Sequence, residues 1–117
     1  MSVSLDLDLI INNLVNELGS SVYFIIIASE NGAVKKAYIS DEFNKSSIAL
    51  NVSQMYELAE EITEDIGIDK PDFNIIHSAN YYILSIKILE VIIILLMEDQ
   101  IEITTVFRII NNSIEIG

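Results

Sequence analysis

The 117-residue chain has no cysteine, one histidine and only six lysine and arginine residues, against 18 aspartate and glutamate residues. The lack of cysteine excludes disulfides, thiolate zinc sites and cysteine nucleophiles. A net charge of −12 leaves few cations to bind phosphates, which argues against nucleic acid and against an anionic membrane surface as partners. The same acidity would attract a protein with a basic patch, although it can equally serve only to maintain solubility.

Glycine is also scarce, with four residues at positions 19, 32, 67 and 117. The chain therefore has no phosphate-binding loop of the G-x-x-x-x-G-K type and no dinucleotide-binding glycine motif, so it is not expected to be a GTPase itself. It also lacks a nucleophile elbow. We expect a protein that is not an enzyme and that uses no cofactor. A small-molecule sensor would need a deep apolar pocket with convergent polar groups, and the shortage of histidine, cysteine and arginine disfavours it.

The single histidine and the clustered acids are poor candidates for a chemical site. His77 lies in a predicted strand with Ile75 and Ala79 as neighbours on its face, so a structural role at an edge or a dimer seam is the simpler interpretation. The acids between positions 57 and 65 are spread along a helix and lack the glycine-containing loop of a calcium site. We predict no catalytic and no metal-binding residue.

No segment combines the length and the apolar character of a membrane span. The stretch 81–97 is interrupted by Lys87 and Glu90, whereas a bilayer span needs about 20 apolar residues. The first four residues, from Met1 to Ser4, lack the basic start of a signal peptide. We therefore expect a cytoplasmic protein without membrane insertion.

Two continuously apolar runs, 22–28 and 91–97, dominate the hydrophobic pattern. Both are too short to cross a bilayer, and both are too uniformly apolar for a strand with one face in water. Runs of this kind are typical of strands that are covered on both faces. We therefore predict a single domain over residues 1–117 in which one sheet lies between helices.

Periodicity and turn residues place three helices and five strands in the chain. The helices are predicted over 5–18, 47–66 and 100–114, and the strands over 22–29, 33–39, 73–78, 81–88 and 91–97. Consecutive strands should be neighbours, and the two most buried strands, the first and the fifth, should join the hairpin to the meander. The predicted fold is an α/β (α+β) sandwich with element order α-β-β-α-β-β-β-α. Its five-stranded, mostly antiparallel sheet has the order 2-1-5-4-3, with helices on both faces.

The two outer strands of this sheet differ in how they resist edge-to-edge association. Lys35 and Lys36 lie side by side in the second strand, where charge deters pairing. The third strand carries Phe73, Ile75 and Ile76 with little charge. An apolar edge in a soluble protein is usually covered by another element or paired with another chain, and we expect one of these two arrangements for the third strand.

This order of elements, at this length, resembles the Roadblock / dynein light chain domain over nearly the whole chain. The similarity lies in the 22–32 segment that ends in Glu-Asn-Gly, in the polar stretch that leads into the 48–66 helix, and in the Tyr-Tyr-Ile-Leu sequence at 81–84 that leads to 91–97. The longin domain is a structural relative, but it begins with its strands, whereas the first element predicted in this chain is a helix.

The resemblance implies a homodimer, or a heterodimer with another Roadblock protein, in which the third strands pair and the long central helices lie together. It also implies a non-catalytic regulator or scaffold that binds a small Ras-like GTPase. The alternative is a structural adaptor that bridges larger proteins without contacting a GTPase. Some bacterial relatives activate GTP hydrolysis by reshaping the GTPase. An arginine finger in this chain would have to be Arg108, for which a solvated helix position is the simpler interpretation.

The central helix is predicted to divide into three stripes. The stripe assigned to the core consists of Ile48, Val52, Met55, Ala59, Ile62 and Ile66. The flank beside it and the third strand form the predicted dimer interface, which consists of Ala49, Ser53, Tyr56, Glu60, Thr63, Phe73, Ile75, Ile76 and His77. The outer face is the predicted docking surface for a partner, with Leu50 as an apolar anchor beside Glu57, Glu61 and Glu64.

Overall fold

The computed structural model describes the backbone of residues 3–116 and the side-chain surroundings of residues 5–114. Met1 and Ser2, which begin the N-terminal segment that lacks the basic start of a signal peptide, lie outside the described residues. The elements in chain order are β1 (Val3–Leu5), α1 (Leu7–Leu18), β2 (Val22–Ser29), β3 (Val34–Tyr38), α2 (Lys45–Ile66), β4 (Phe73–Ser78), β5 (Tyr81–Ile88), β6 (Val91–Glu98), α3 (Ile103–Asn112) and β7 (Ile114–Ile116). A short 3₁₀ turn, Gly19–Ser21, connects α1 to β2.

Strands β2 to β6 form one antiparallel sheet with the order β3-β2-β6-β5-β4. The predicted order, 2-1-5-4-3, was counted without β1. Each strand number rises by one when β1 is included, so the predicted topology is confirmed. The tight turn expected between β5 and β6 is also present, because Ile88 pairs directly with Val91. Leu89 makes this turn with a φ of +53°, a conformation that is uncommon for residues other than glycine.

Both faces of the sheet are covered, which explains the two continuously apolar runs. Alternate residues of β2 and β6 face opposite layers. Ile25, Ile27, Ile93 and Leu95 pack under α1 and α3, whereas Phe24, Ile26, Ile92 and Ile94 pack under α2. Among residues 3–116, no helix is both long enough and apolar enough to cross a membrane.

A small second sheet joins the two ends of the described chain, which the sequence did not predict. In it, β1 pairs with β7, and Leu5 lies opposite Ile114. Helix α1 therefore begins at Leu7 and not at residue 5, and α3 ends at Asn112 and not at residue 114. Helix α3 also begins later than predicted, at Ile103 and not at residue 100. Asp6 caps α1 by accepting a hydrogen bond from the backbone N–H of Leu9 (3.0 Å), which leaves the residues before it free to form a strand. Ser113 at the end of α3 accepts a hydrogen bond from Asn13 of α1 (2.8 Å).

Helix α2 packs against the sheet with the N-terminal half of the predicted stripe, through Ile48, Val52 and Met55, and with the flank beside that stripe. Its buried residues are Ala49, Val52, Ser53 and Tyr56. Ile62 and Ile66, which were assigned to the core, are 58% and 66% exposed, so that assignment was wrong. The helix carries two adjacent apolar stripes that lie roughly a quarter of a turn apart at 3.6 residues per turn. Periodicity detects both stripes but does not decide which one faces the sheet.

Candidate interaction surfaces

The hairpin turn between β2 and β3 lies directly against α2, and this contact explains the orientation of the helix. A Cβ atom at Gly32 would lie 2.7 Å from Ser53 Oγ and 3.0 Å from Leu50 Cα, so only glycine fits here. The Ser53 hydroxyl donates a hydrogen bond to the carbonyl of Leu50 (2.8 Å), so it can be buried without losing a partner. The small side chains of Ala49 and Ser53 thus occupy the side of the helix that approaches the sheet.

Tyr56 is the largest side chain that α2 inserts against the sheet. Its hydroxyl donates a hydrogen bond to the carbonyl of Pro71 (2.7 Å), and burial raises the pKa of this phenol. The prediction that Ala49, Ser53 and Tyr56 contact a second copy of the helix was therefore wrong, because they face the sheet of their own chain. The other two members of that flank are half-buried, and Thr63 donates a hydrogen bond to the carbonyl of Glu60 within the helix (2.9 Å).

Glu60 belongs to an ion-pair cluster within the chain and is not a free carboxylate. Lys87 of β5 donates a hydrogen bond to its Oε2 (3.2 Å) and also contacts Glu30 (3.2 Å). Burial alone lowers the pKa of Lys87, but the hydrogen bonds to Glu30 and Glu60 outweigh it and hold this pKa above its ordinary value. Lys70 lies 3.8 Å from the same Glu60 oxygen. The cluster connects α2 to β5 and to the end of β2.

The stripe of α2 that was assigned to the core is largely open to solvent in its C-terminal half. Leu58 is 59% exposed, and with Ile62 and Ile66 it forms an apolar surface that we call the α2 outer stripe. Contiguous apolar side chains on a protein surface are typical of interaction sites. Hydrophobic periodicity picks out Ile62 and Ile66 but assigns them to the core, and it assigns no role to Leu58.

Strand β4 forms one edge of the sheet, as predicted for the third strand. It pairs with β5 along one side only, and Phe73, Ile75 and Ile76 are exposed. Phe73 also packs against Phe107 of α3, with 5.0 Å between the ring centroids. The position of this apolar edge is confirmed, and its role as a dimer contact stays a prediction.

His77 lies on β4 and has a carboxylate partner that the sequence did not reveal. Its Nε2 atom lies 3.1 Å from Oδ2 of Asp99, and its ring centroid is 4.8 Å from that of Tyr82. Asp99 is 22 residues away in the chain and follows β6, so only the sheet brings the two together. Within the described residues, no group of three or more histidine or acidic side chains is arranged to hold a metal ion.

The residues predicted to dock a partner are on the surface of α2. Leu50 is exposed, and so are Glu57, Glu61 and Glu64. Arg108 on α3 is also exposed and lies 3.6 Å from Glu17 of α1, as expected for a solvated helix residue. The structure thus leaves an apolar residue and three carboxylates free to meet another protein, although what they bind stays a prediction.

Comparison with known proteins identifies the fold. No protein-family model matches the sequence, and no curated protein matches it either. Among solved structures, a Roadblock/LC7 domain from Streptomyces avermitilis matches with a TM-score of 0.80 at 15% identity, covering 92% of this chain and 90% of that one. Myxococcus xanthus MglB matches with a TM-score of 0.75 at 11% identity, covering 86% and 81%. The gliding protein MglB of Thermus thermophilus matches with a TM-score of 0.71 at 10% identity, covering 97% and 92%. The chain therefore has the fold of a Roadblock-type domain.

Proposed function

We propose that this protein is a dimeric, non-catalytic regulator or scaffold that binds a small Ras-like GTPase in the cytoplasm. The observation that carries the proposal is the open apolar edge of β4 on a Roadblock-type fold. The resemblance to Roadblock domains implies both the dimer and the GTPase partner. The likeness to solved structures, at 10–15% identity, supports the fold.

The dimer we propose uses two surfaces that each protomer leaves uncovered. The β4 edges of two subunits pair, which satisfies the backbone groups that β4 does not share with β5. The α2 outer stripes supply the helix contact, in place of the buried residues that the sequence had suggested. Fully burying an exposed leucine or isoleucine side chain contributes about 1.5–3 kcal/mol. Leu58, Ile62 and Ile66 are already partly buried, so each contributes less than this, and the three together favour association. The second subunit is either a copy of this chain or another Roadblock protein.

The GTPase would dock on the opposite side of α2 from the dimer contact. Leu50 supplies an apolar anchor, and the nearby Glu57, Glu61 and Glu64 favour a basic surface on the partner. The overall charge of −12 would speed association with such a surface at low ionic strength.

The direct test is calorimetry of the purified chain with small Ras-like GTPases from the organism that encodes it. Each GTPase is loaded either with GDP or with a non-hydrolysable GTP analogue. We expect binding in at least one nucleotide state and a loss of affinity of about tenfold or more for Leu50→Lys, as for a central apolar anchor. Asn12→Lys in α1 is a control that makes the same change of charge on another exposed helix.

Absence of binding in both nucleotide states, by a chain that is folded and dimeric, would contradict the GTPase proposal. It would favour the alternative, a structural adaptor that bridges larger proteins. Equal loss of affinity for Leu50→Lys and Asn12→Lys would show that the effect is one of net charge and that the docking surface lies elsewhere.

A further inference from the structure

Tyr23 occupies a β-bulge at the start of β2. Val22 pairs with Met97 and Phe24 pairs with Leu96, so Tyr23 is an extra residue without its own partner on β6. A bulge breaks the regular alternation of a strand and redirects the side chain at that position. Val22 and Phe24 are buried, whereas Tyr23 is 39% exposed. The strand thus gives up one regular pairing position and places a phenol at the surface.

The ring of Tyr23 meets one residue from each of two other strands. Its centroid is 5.5 Å from that of Tyr81 on β5, with an angle of 74° between the ring planes. Its hydroxyl donates a hydrogen bond to Oε1 of Glu98 on β6 (3.0 Å). Tyr81 and Glu98 are directly opposite each other in the register of β5 and β6. Three neighbouring strands therefore bring two aromatic rings and a carboxylate to one point.

These side chains line a surface pocket of about 320 Å³ together with Asn80, Asp99 and Gln100. None of the residues that line it carries a positive charge. Asp99 has His77 as a partner, but among residues 5–114 no lysine or arginine forms a salt bridge with Glu98. The hydrogen bond to Glu98 also raises the pKa of the Tyr23 phenol. The pocket is thus aromatic and electronegative, and it contains no cation of its own.

We propose that this pocket binds an arginine side chain presented by a partner protein. A guanidinium group can stack on tyrosine rings and form charge-assisted hydrogen bonds with a carboxylate, and the pocket offers both in one place. A phosphate or a carboxylate would be repelled, because the lining carries only negative charge. An apolar group would take the Glu98 carboxylate out of water without supplying an opposite charge, which costs free energy. Lysine satisfies the carboxylate but lacks the planar face, so we expect it to bind less tightly.

The proposal does not depend on whether the partner is a GTPase. The pocket lies at the end of the sheet where β6 stops, whereas the surface proposed to dock the GTPase lies on α2. Binding is therefore tested with the folded chain and a small probe, in the absence of any other protein.

The experiment is an NMR titration of the full chain, labelled with ¹³C in its five tyrosine rings. The probe is the capped tripeptide Gly-Arg-Gly, and the control peptide replaces arginine with citrulline, which has nearly the same shape but no charge. We expect saturable shifts of the Tyr23 and Tyr81 ring signals with the arginine peptide, a weaker response to a lysine peptide and none to citrulline. The buried Tyr56 serves as an internal reference.

Glu98, the last residue of β6, and Glu90, which precedes its first residue, give a matched pair of variants. Glu98→Gln should weaken arginine binding about fivefold to tenfold, because it removes the charge that the guanidinium meets. Glu90→Gln makes the same change of net charge at the other end of the strand and should leave the affinity unchanged. Tyr23→Phe keeps the ring and frees Glu98 from its hydrogen bond, so it should retain binding.

Three results would overturn the proposal. They are equal shifts with the arginine and citrulline peptides, equal weakening by Glu98→Gln and Glu90→Gln, and the absence of any saturable shift at Tyr23 and Tyr81. Circular dichroism of each variant establishes that it is folded. Were Glu98→Gln to unfold, Tyr81→Leu would replace it, with the same expected loss of affinity.

Discussion

Lys87 Nζ lies 3.2 Å from Oε2 of Glu60, and this contact joins the edge half of the sheet to helix α2. The two side chains are only 22% and 20% exposed, so the pair is better shielded from water than a typical surface ion pair. Glu30, just after β2, accepts a second contact from the same ammonium group. One lysine therefore connects three elements that are distant in the sequence.

Replacing this lysine should lower the free energy of unfolding. We expect Lys87→Met to lower the free energy of unfolding by about 1 kcal/mol at neutral pH. This is the upper end of the range measured for exposed ion pairs, because this pair is partly shielded from water. Urea denaturation measures this loss. Lys35→Met is the matched control, because it removes the same charge from an exposed position on β3. A loss for Lys87→Met no greater than that for Lys35→Met would contradict a stabilising role for the cluster.

The stability that the Lys87–Glu60 pair contributes should depend on pH. The pKa of Lys87 in the folded protein lies above 10.5, its ordinary value, so the folded state binds this proton more tightly than the unfolded state does. The stabilisation is fully present below pH 10.5 and is lost as the pH rises through the folded pKa. The difference in stability between the wild type and Lys87→Met should therefore shrink on the alkaline side of pH 10.5. A difference that is constant between pH 8 and the alkaline limit would contradict this.

Gly32 and Gly67 form a matched pair of glycines with positive φ, +91° and +85°. An added Cβ at Gly67 meets nothing within 4 Å, whereas at Gly32 it would clash with Ser53 and with the backbone of Leu50. We expect Gly67→Ala to cost about 1–2 kcal/mol for the backbone conformation alone. Gly32→Ala should cost clearly more, because α2 must also move away from the hairpin. Equal losses of stability, measured by thermal or urea unfolding, would show that the turn is not held against the helix.

The edge of β4 can be tested by placing a charge on it. Ile76→Lys should lower the mass measured by light scattering toward that of a monomer, because edge lysines oppose strand pairing. Tyr38→Lys makes the same kind of change on β3, the other edge of the sheet, and should leave the mass unchanged. A dimer that survives Ile76→Lys at micromolar concentration would place the subunit contact elsewhere.

Substitutions at two apolar residues of α2 can distinguish the surface that forms the dimer from the surface that docks a partner. Ile62→Lys changes the α2 outer stripe and should weaken the dimer. Leu50→Lys, also exposed on this helix, should leave the dimer intact while weakening the binding of a GTPase. Sedimentation velocity measures the first effect and calorimetry the second. If Leu50→Lys dissociated the dimer and Ile62→Lys did not, the dimer contact would lie at Leu50 and not at the α2 outer stripe.

The predicted fold depended on patterns that are local in the chain. The uniformly apolar runs at 22–28 and 91–97 required cover on both faces, and this requirement placed them at the centre of the sheet. The paired lysines on one strand and the apolar third strand then marked the two edges. For the candidate surfaces, the same reasoning located the β4 edge and the exposed acids of α2, whose positions depend mainly on hydrophobic periodicity.

The errors came from contacts between segments that are far apart in sequence. The orientation of α2 depends on the hairpin at Gly32 and on the hydrogen bond from Tyr56 to Pro71, neither of which changes the periodicity of the helix itself. The pairing of β1 with β7 involves strands of three residues, which are too short to show an alternating pattern. The Tyr23 bulge is visible only in the register with β6.

The sequence alone determined the layered architecture, because a run of apolar residues must be covered wherever it lies, and strand order follows from the few ways of covering it. Only the tertiary structure decided which side of α2 stays exposed and which acids find partners, as for Asp99 with His77 and Glu60 with Lys87. Whether a segment is buried depends mainly on its own apolar residues, and these are evident from that segment alone. The choice between two similar faces, or between two carboxylates, depends on what another segment brings to the same place.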